Sequence, residues 1–101
     1  TYNINHLLIE EKITSKTKAI MPVSLFGQVS DMDYINKIAE EYNLIVIEDA
    51  AQAMGSYHKG QHGGRFGKIS AFSAHPLKNL NALGDAGYLV TNNFKYYKRI
   101  Y

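Results

Sequence analysis

Two apolar runs in this sequence each lead into a reactive group. Leu44-Ile45-Val46-Ile47 runs into Glu48-Asp49-Ala50-Ala51-Gln52-Ala53, and the stretch from Ile69 runs into Phe72-Ser73-Ala74-His75-Pro76-Leu77-Lys78-Asn79-Leu80. A carboxylate just past one buried strand and a primary amine just past another can hold an aromatic aldehyde between them. The amine of Lys78 can attack the aldehyde carbon and form a Schiff base. The carboxylate of Asp49 can keep a pyridine nitrogen protonated, so that the ring stays an electron sink. This layout points to pyridoxal 5'-phosphate (PLP) as the group held.

Each residue also has a plainer reading. Asp49 alone is an acid at a strand end that caps the next turn. Placed after four apolar residues it loses part of its hydration, and an ionised carboxylate there calls for a cation or several donors. Gln52, three residues on, faces the same side if Asp49 opens a turn, where its amide could meet a cofactor's phenolic oxygen or ring; otherwise it is a polar helix start. Lys78 is either a solvated lysine or a nucleophile made neutral by an apolar lining of Leu77, Leu80 and Phe72. Freed from the cofactor, its amine could move a proton between two carbons. Ser73 is a small strand-end residue or a phosphate ligand acting with nearby main-chain N–H groups. His75 could line the same pocket or simply pack.

The glycines at 60, 63, 64 and 67 match neither the dinucleotide fingerprint nor the P-loop spacing, and read as conformational punctuation. His58 and His62 are spaced for a metal on a helix, but they sit among glycines with no acidic neighbour in sequence, so no metal site is expected.

Several classes are excluded. A net charge of +2 with scattered basic residues argues against nucleic acid. No run approaches the roughly 18 apolar residues of a membrane helix, and no leader pattern opens the chain. The sequence has no cysteine, which excludes disulfides and thiolate metal sites and suits a reducing cytoplasm. With 101 residues, 46% apolar and 20% charged, it is one globular domain at most.

The elements that must position these groups follow from periodicity. A short helical pattern covers His6 to Ile13. Ala19 to Val23 is a strand. Ser30 to Tyr42 is a helix, with Ser30 and Asp33 as a capping-box-like start. Its apolar face is Met32, Ile35, Ile38, Ala39 and Tyr42, and Asn43 stops it. Leu44 to Ile47 reads as a strand buried on both faces, as in a parallel sheet. Residues 19 to 47 thus form a βαβ unit, whose ligands sit beyond the carboxyl ends of the strands. Tyr57 to Lys68 is a loop or loose hairpin, Ile69 to Ala74 and Tyr88 to Thr91 are strands, and Asn93 to Tyr101 is an unfinished helix. That last run, and the start at Thr1, predict a piece of a longer protein.

The combined order of these motifs resembles the DegT/StrS family of PLP-dependent sugar aminotransferases. The likeness covers essentially the whole chain: Thr17 to Val23, Leu25-Phe26-Gly27-Gln28, Ile47 to Ala53, Phe72 to Leu80 and Gly84-Asp85-Ala86-Gly87. The resemblance implies an α/β fold, part of the large domain of a fold-type-I (aspartate-aminotransferase-like) enzyme, with a mostly parallel sheet and flanking helices. It implies Lys78 as Schiff-base lysine, Asp49 as pyridinium partner, Gln52 as a ring contact and Ser73 as phosphate ligand. It further implies a homodimer that moves an amino group, usually from glutamate, to a nucleotide-linked keto sugar in amino-sugar or polysaccharide biosynthesis. Residues 1–101 would be a partial large domain, without the early phosphate-binding helix start and the small carboxy-terminal domain, and inactive by itself. Ala74 stands where many relatives carry an aromatic, and Ala86 where many carry glycine.

Three other readings compete: a PLP-dependent sugar dehydratase, a regulatory protein that keeps the fold without turnover, and a small doubly wound binding domain. A lysine at position 78 favours transamination over dehydration, and the intact cofactor set argues against the regulatory reading.

Overall fold

The computed structural model describes residues 1–100. Four strands form one sheet in the order β1-β2-β5-β6, where β1 is Ala19–Ile20, β2 Ile45–Asp49, β5 Ile69–Ser73 and β6 Gly87–Val90. β1 with β2 and β2 with β5 are parallel, and β5 with β6 is antiparallel. The helix α1 (Met32–Glu41) crosses between β1 and β2, completing the expected βαβ unit. A second helix, α2 (Phe94–Ile100), follows β6. The last residue assigned to that helix from the sequence, Tyr101, lies outside the described residues.

The core is one cluster: Ile9, Ile20, Met32, Ile35, Ile38, Ala39 and Val46. Four of these are the apolar face read from the spacing of α1. Tyr42, assigned to that face, is instead exposed, and its hydroxyl donates to the Glu10 carboxylate at 3.1 Å. The helix start also differs from expectation. Asp31 is the N-cap, accepting from the Tyr34 N–H at 3.2 Å, while Ser30 is buried and donates to the Val23 carbonyl at 3.0 Å. Asp33 turns outward to Lys59 and His58. A free carboxylate one residue nearer the helix displaces a hydroxyl that has a better partner inside. Asn43 stops the helix as expected, in the left-handed region at φ 52°. Its N–H donates to the Glu40 carbonyl (3.2 Å) and that of Leu44 to Ala39 (2.7 Å), the two bonds of a Schellman motif.

His6 to Ile13 forms two 3-10 turns, His6–Leu8 and Glu10–Lys12, rather than one helix. β1 is shorter than predicted because Pro22 has no N–H for the ladder; only Val23 rejoins it, by a bridge to Asp49. In β2 burial alternates, contrary to the expected two-sided burial. Val46 and Glu48 are buried on the face toward α1, and Ile45, Ile47 and Asp49 are half-buried on the other. Among the described residues, no helix is long and apolar enough to cross a membrane.

Candidate active site

Asp49 is the last residue of β2, and its backbone is fixed on one side by β1's continuation. Its N–H donates to the Pro22 carbonyl (3.0 Å) and its carbonyl accepts from Ser24 (3.0 Å). The next residue, Ala50, donates to the Ala71 carbonyl of β5 at 2.9 Å. The side chain of Asp49 is half-buried and accepts one hydrogen bond, from the Ala51 N–H to Oδ1 at 3.0 Å. Its other oxygen meets no donor among the described residues. The parallel register pairs Asp49 with Ala71. Ser73, two residues further along β5, therefore stands on the same face of the sheet as Asp49.

Gln52, Ser73 and Lys78 line one cavity of about 400 Å³, together with Phe26, Gly27, Ala51, Met54, Leu77 and Asn79. This volume lies within the range of small-molecule sites. Asp49 is not in the lining; it shares the sheet face of Ser73 on the neighbouring strand. Lys78 sits in the long connection between β5 and β6, five positions beyond the strand. Its backbone N–H donates to the His75 carbonyl at 2.8 Å, and its side chain has no hydrogen bond or ion pair among the described residues. Ser73 Oγ accepts from the His75 N–H at 3.3 Å, which leaves its own proton free to donate. Gln52 Oε1 accepts the Phe26 N–H at 2.8 Å.

Parts of the expected surroundings are different. Leu77 lines the cavity, but Phe72 and Leu80 do not. Phe72 is drawn to the hairpin side of β5, where its ring stacks on Tyr88 at 5.0 Å and lies under Gly64. His75 does not line the cavity either. Its Nδ1 accepts from the Leu77 N–H at 3.2 Å and its Nε2 lies 3.6 Å from Asp85, so it shapes the lysine's loop. Ala86 does not have positive φ, so a side chain there costs nothing.

The glycine-rich segment has a purpose that its sequence did not disclose. Its hairpin, β3 (Tyr57–His58) and β4 (Gln61–His62), turns through Lys59 and Gly60, both at positive φ. Beyond it the chain wraps the fully buried Glu48. Gly64 N–H donates to Oε1 at 2.6 Å, and Phe66 N–H, Gly67 N–H and the Ser70 hydroxyl reach Oε2 at 3.1, 3.4 and 3.4 Å. Gly64 has φ +91°, and a Cβ on it would lie 2.0 Å from the Phe72 ring.

His58 and His62 do not form a pair. His62 Nε2 accepts the Gly55 N–H at 3.0 Å, and His58 Nε2 lies 3.4 Å from Asp33. Asp31, Asp33 and His58 do come within ligating distance of one another on the surface, but the Lys59 ammonium already bonds Asp33. The hydrogen bond from Lys59, and then that from His58, hold the Asp33 carboxyl below the usual carboxylate range.

The chain belongs to the DegT/DnrJ/EryC1/StrS aminotransferase family, which it matches over residues 1–101. It is 55% identical over 100 residues to a dTDP-3-amino-3,6-dideoxy-alpha-D-galactopyranose transaminase of Aneurinibacillus thermoaerophilus, covering 99% of this chain and 28% of the relative. Its fold superimposes on DesV of S. venezuelae with a TM-score of 0.92 at 39% identity, covering 97% of this chain and 26% of that one. It is similar also to NtdA from Bacillus subtilis, solved with bound cofactor PMP, with a TM-score of 0.84 at 43% identity, covering 92% of this chain and 20% of that one. The fold is that of the fold-type-I PLP-dependent aminotransferases. The chain spans about a quarter of the length of the curated relatives it matches.

Proposed function

We propose that the whole protein is a PLP-dependent aminotransferase acting on a nucleotide-linked keto sugar, and that residues 1–101 are part of its large cofactor-binding domain. The observation that carries this reading is that Gln52, Ser73 and Lys78, whose amine has no partner among the described residues, line one cavity, with Asp49 on the sheet face of Ser73. The residues fit PLP by donor chemistry. One Asp49 oxygen is open to a cationic ring nitrogen, the Ser73 proton is open to a phosphate oxygen, and the Lys78 amine is open to an aldehyde.

PLP, when bound, supplies the electron sink and carries the amino group from donor to acceptor. Asp49 holds the proton on the ring nitrogen, and the charge pair keeps that proton in place. Ser73 would bind the phosphate through its hydroxyl proton. Lys78 would hold the cofactor through Nζ, and the same atom would be the base that takes up and returns a proton.

The sugar-nucleotide substrate is supported by the named activity of the A. thermoaerophilus relative. Glutamate as amino donor, a homodimeric assembly and a cytoplasmic location complete the proposal, and the product is an amino sugar for a surface polysaccharide or secondary metabolite. In the full-length protein, Lys78→Ala is expected to abolish the visible absorbance of lysine-bound cofactor and the half-reaction with glutamate. Normal turnover in that variant would end the proposal.

A further inference from the structure

The short turn Leu25–Gly27 stands on the cavity wall and contains the backbone outlier nearest the site. Phe26 lies at φ 54°, ψ 30°, a left-handed conformation uncommon for a bulky residue. The turn is fixed from several directions. Leu25 N–H donates to Asn3 Oδ1 (3.0 Å), Asn3 Nδ2 donates to the Gln28 carbonyl (2.8 Å), and Gln28 N–H returns to the Leu25 carbonyl (3.0 Å). Strain that is over-determined in this way marks a place where geometry matters.

What the conformation achieves is one bond. The Phe26 N–H donates to Gln52 Oε1 at 2.8 Å across 26 residues of chain. A main-chain N–H can be accepted only by the oxygen of an amide side chain, never by its NH2 group, so this contact fixes which way the Gln52 amide is turned. With Oε1 engaged, the remaining polar group of a side chain that lines the cavity is Nε2, which only donates.

We propose that the Leu25–Gly27 turn is a positioning element: it clamps Gln52 so that the cavity is presented with an amide donor, and the ligand atom met there is an anionic oxygen. This rests on the reading of the cavity as a PLP site, whose phenolic oxygen is such an acceptor. The clamp uses backbone atoms of Phe26, so the aromatic side chain is not its working part. Asn3, outside the cavity, acts only through the turn.

The test uses the full-length protein loaded with PLP and reads the pH midpoint of the bound cofactor's visible absorbance band, with cofactor retention during dialysis beside it. A donated hydrogen bond favours the more negative form of the acceptor, so losing it raises the midpoint. Gln52→Leu is expected to raise it by about one pH unit and to weaken retention about tenfold. Asn3→Ala, which frees the turn without touching the site, is expected to shift both in the same direction by a smaller amount. Gly27→Val, which disfavours the left-handed φ of +78° at that position, gives the same shift where Asn3→Ala is too mild to read. A shift in Gln52→Leu with parental values in both turn variants overturns the clamp and leaves the cofactor reading intact. An unchanged midpoint in Gln52→Leu overturns the donor role outright. A parental protein that holds no PLP overturns both readings.

Discussion

Glu48 and Asp49 are consecutive carboxylates on one strand, and the fold treats them in opposite ways. Glu48 points to the α1 side, is fully buried and receives four donors. Asp49 points to the other face, is half-buried and receives one. A carboxylate whose lone pairs are all matched inside the protein is part of the framework. One that is left with an open oxygen, on the sheet face that Ser73 shares, is available to something that is not protein. The alternation of a single strand therefore separates scaffold from site within one residue.

The largest expected effect tests that division. In the full-length protein Glu48→Ala strands three main-chain N–H groups in the interior and should cost about 3 kcal/mol or more, read as a lower urea midpoint. Asp49→Asn keeps an oxygen for the Ala51 N–H, so its stability should stay within about 0.5 kcal/mol of the parent. Its cofactor affinity should fall about 100-fold, the worth of one charge-assisted contact. If the two variants exchanged phenotypes, the division would be reversed.

A smaller effect sharpens the scaffold half. Gly64→Ala puts a methyl group into the Phe72 ring at a φ of +91°, and should destabilise by about 2 kcal/mol while leaving cofactor affinity as it was. The smallest effect lies on the surface, at Asp33. Its folded-state pKa is depressed by Lys59 first and His58 second. The stability it adds is therefore present above the unfolded pKa and lost as pH falls through the lowered folded value. Carbon-detected NMR titration should show the Asp33 midpoint below the ordinary aspartate value, and rising as salt screens the pair. A midpoint insensitive to salt would mean that the ammonium is not its partner.

Much of this was legible from residue order. The β-branched run at 45–47, the spacing of Met32, Ile35 and Ile38, and the left-handed stop at Asn43 are local signals, and the structure follows them. Gln52, Ser73 and Lys78 line one cavity, and Asp49 stands outside that lining. Several of the misses are non-local. Glu48 looks like any polar residue at a strand end, because its partners lie sixteen to twenty-two positions away. Gly64 and Gly67 looked like punctuation because their role is to bring N–H groups to that buried anion, while Gly60 is punctuation, in the hairpin turn. Phe72 was placed beside the lysine because it is near in sequence, but it sits on a strand, where neighbours face opposite ways. Asp31 took the cap from Ser30 because the hydroxyl found the Val23 carbonyl.

One tie in the lysine's loop has a wider consequence. The N–H of Ala74 donates to the Ala86 carbonyl (2.8 Å), and its carbonyl accepts from Ala82 (2.9 Å). A single residue thus moors both the homeward leg of the loop and its midpoint. The reach of the amine is then set by the number of links between the moorings, as on a chain of fixed length. Inserting or deleting a residue between 75 and 81 would retune that reach, while the side chain at the mooring itself can drift, and an alanine serves there as well as a ring.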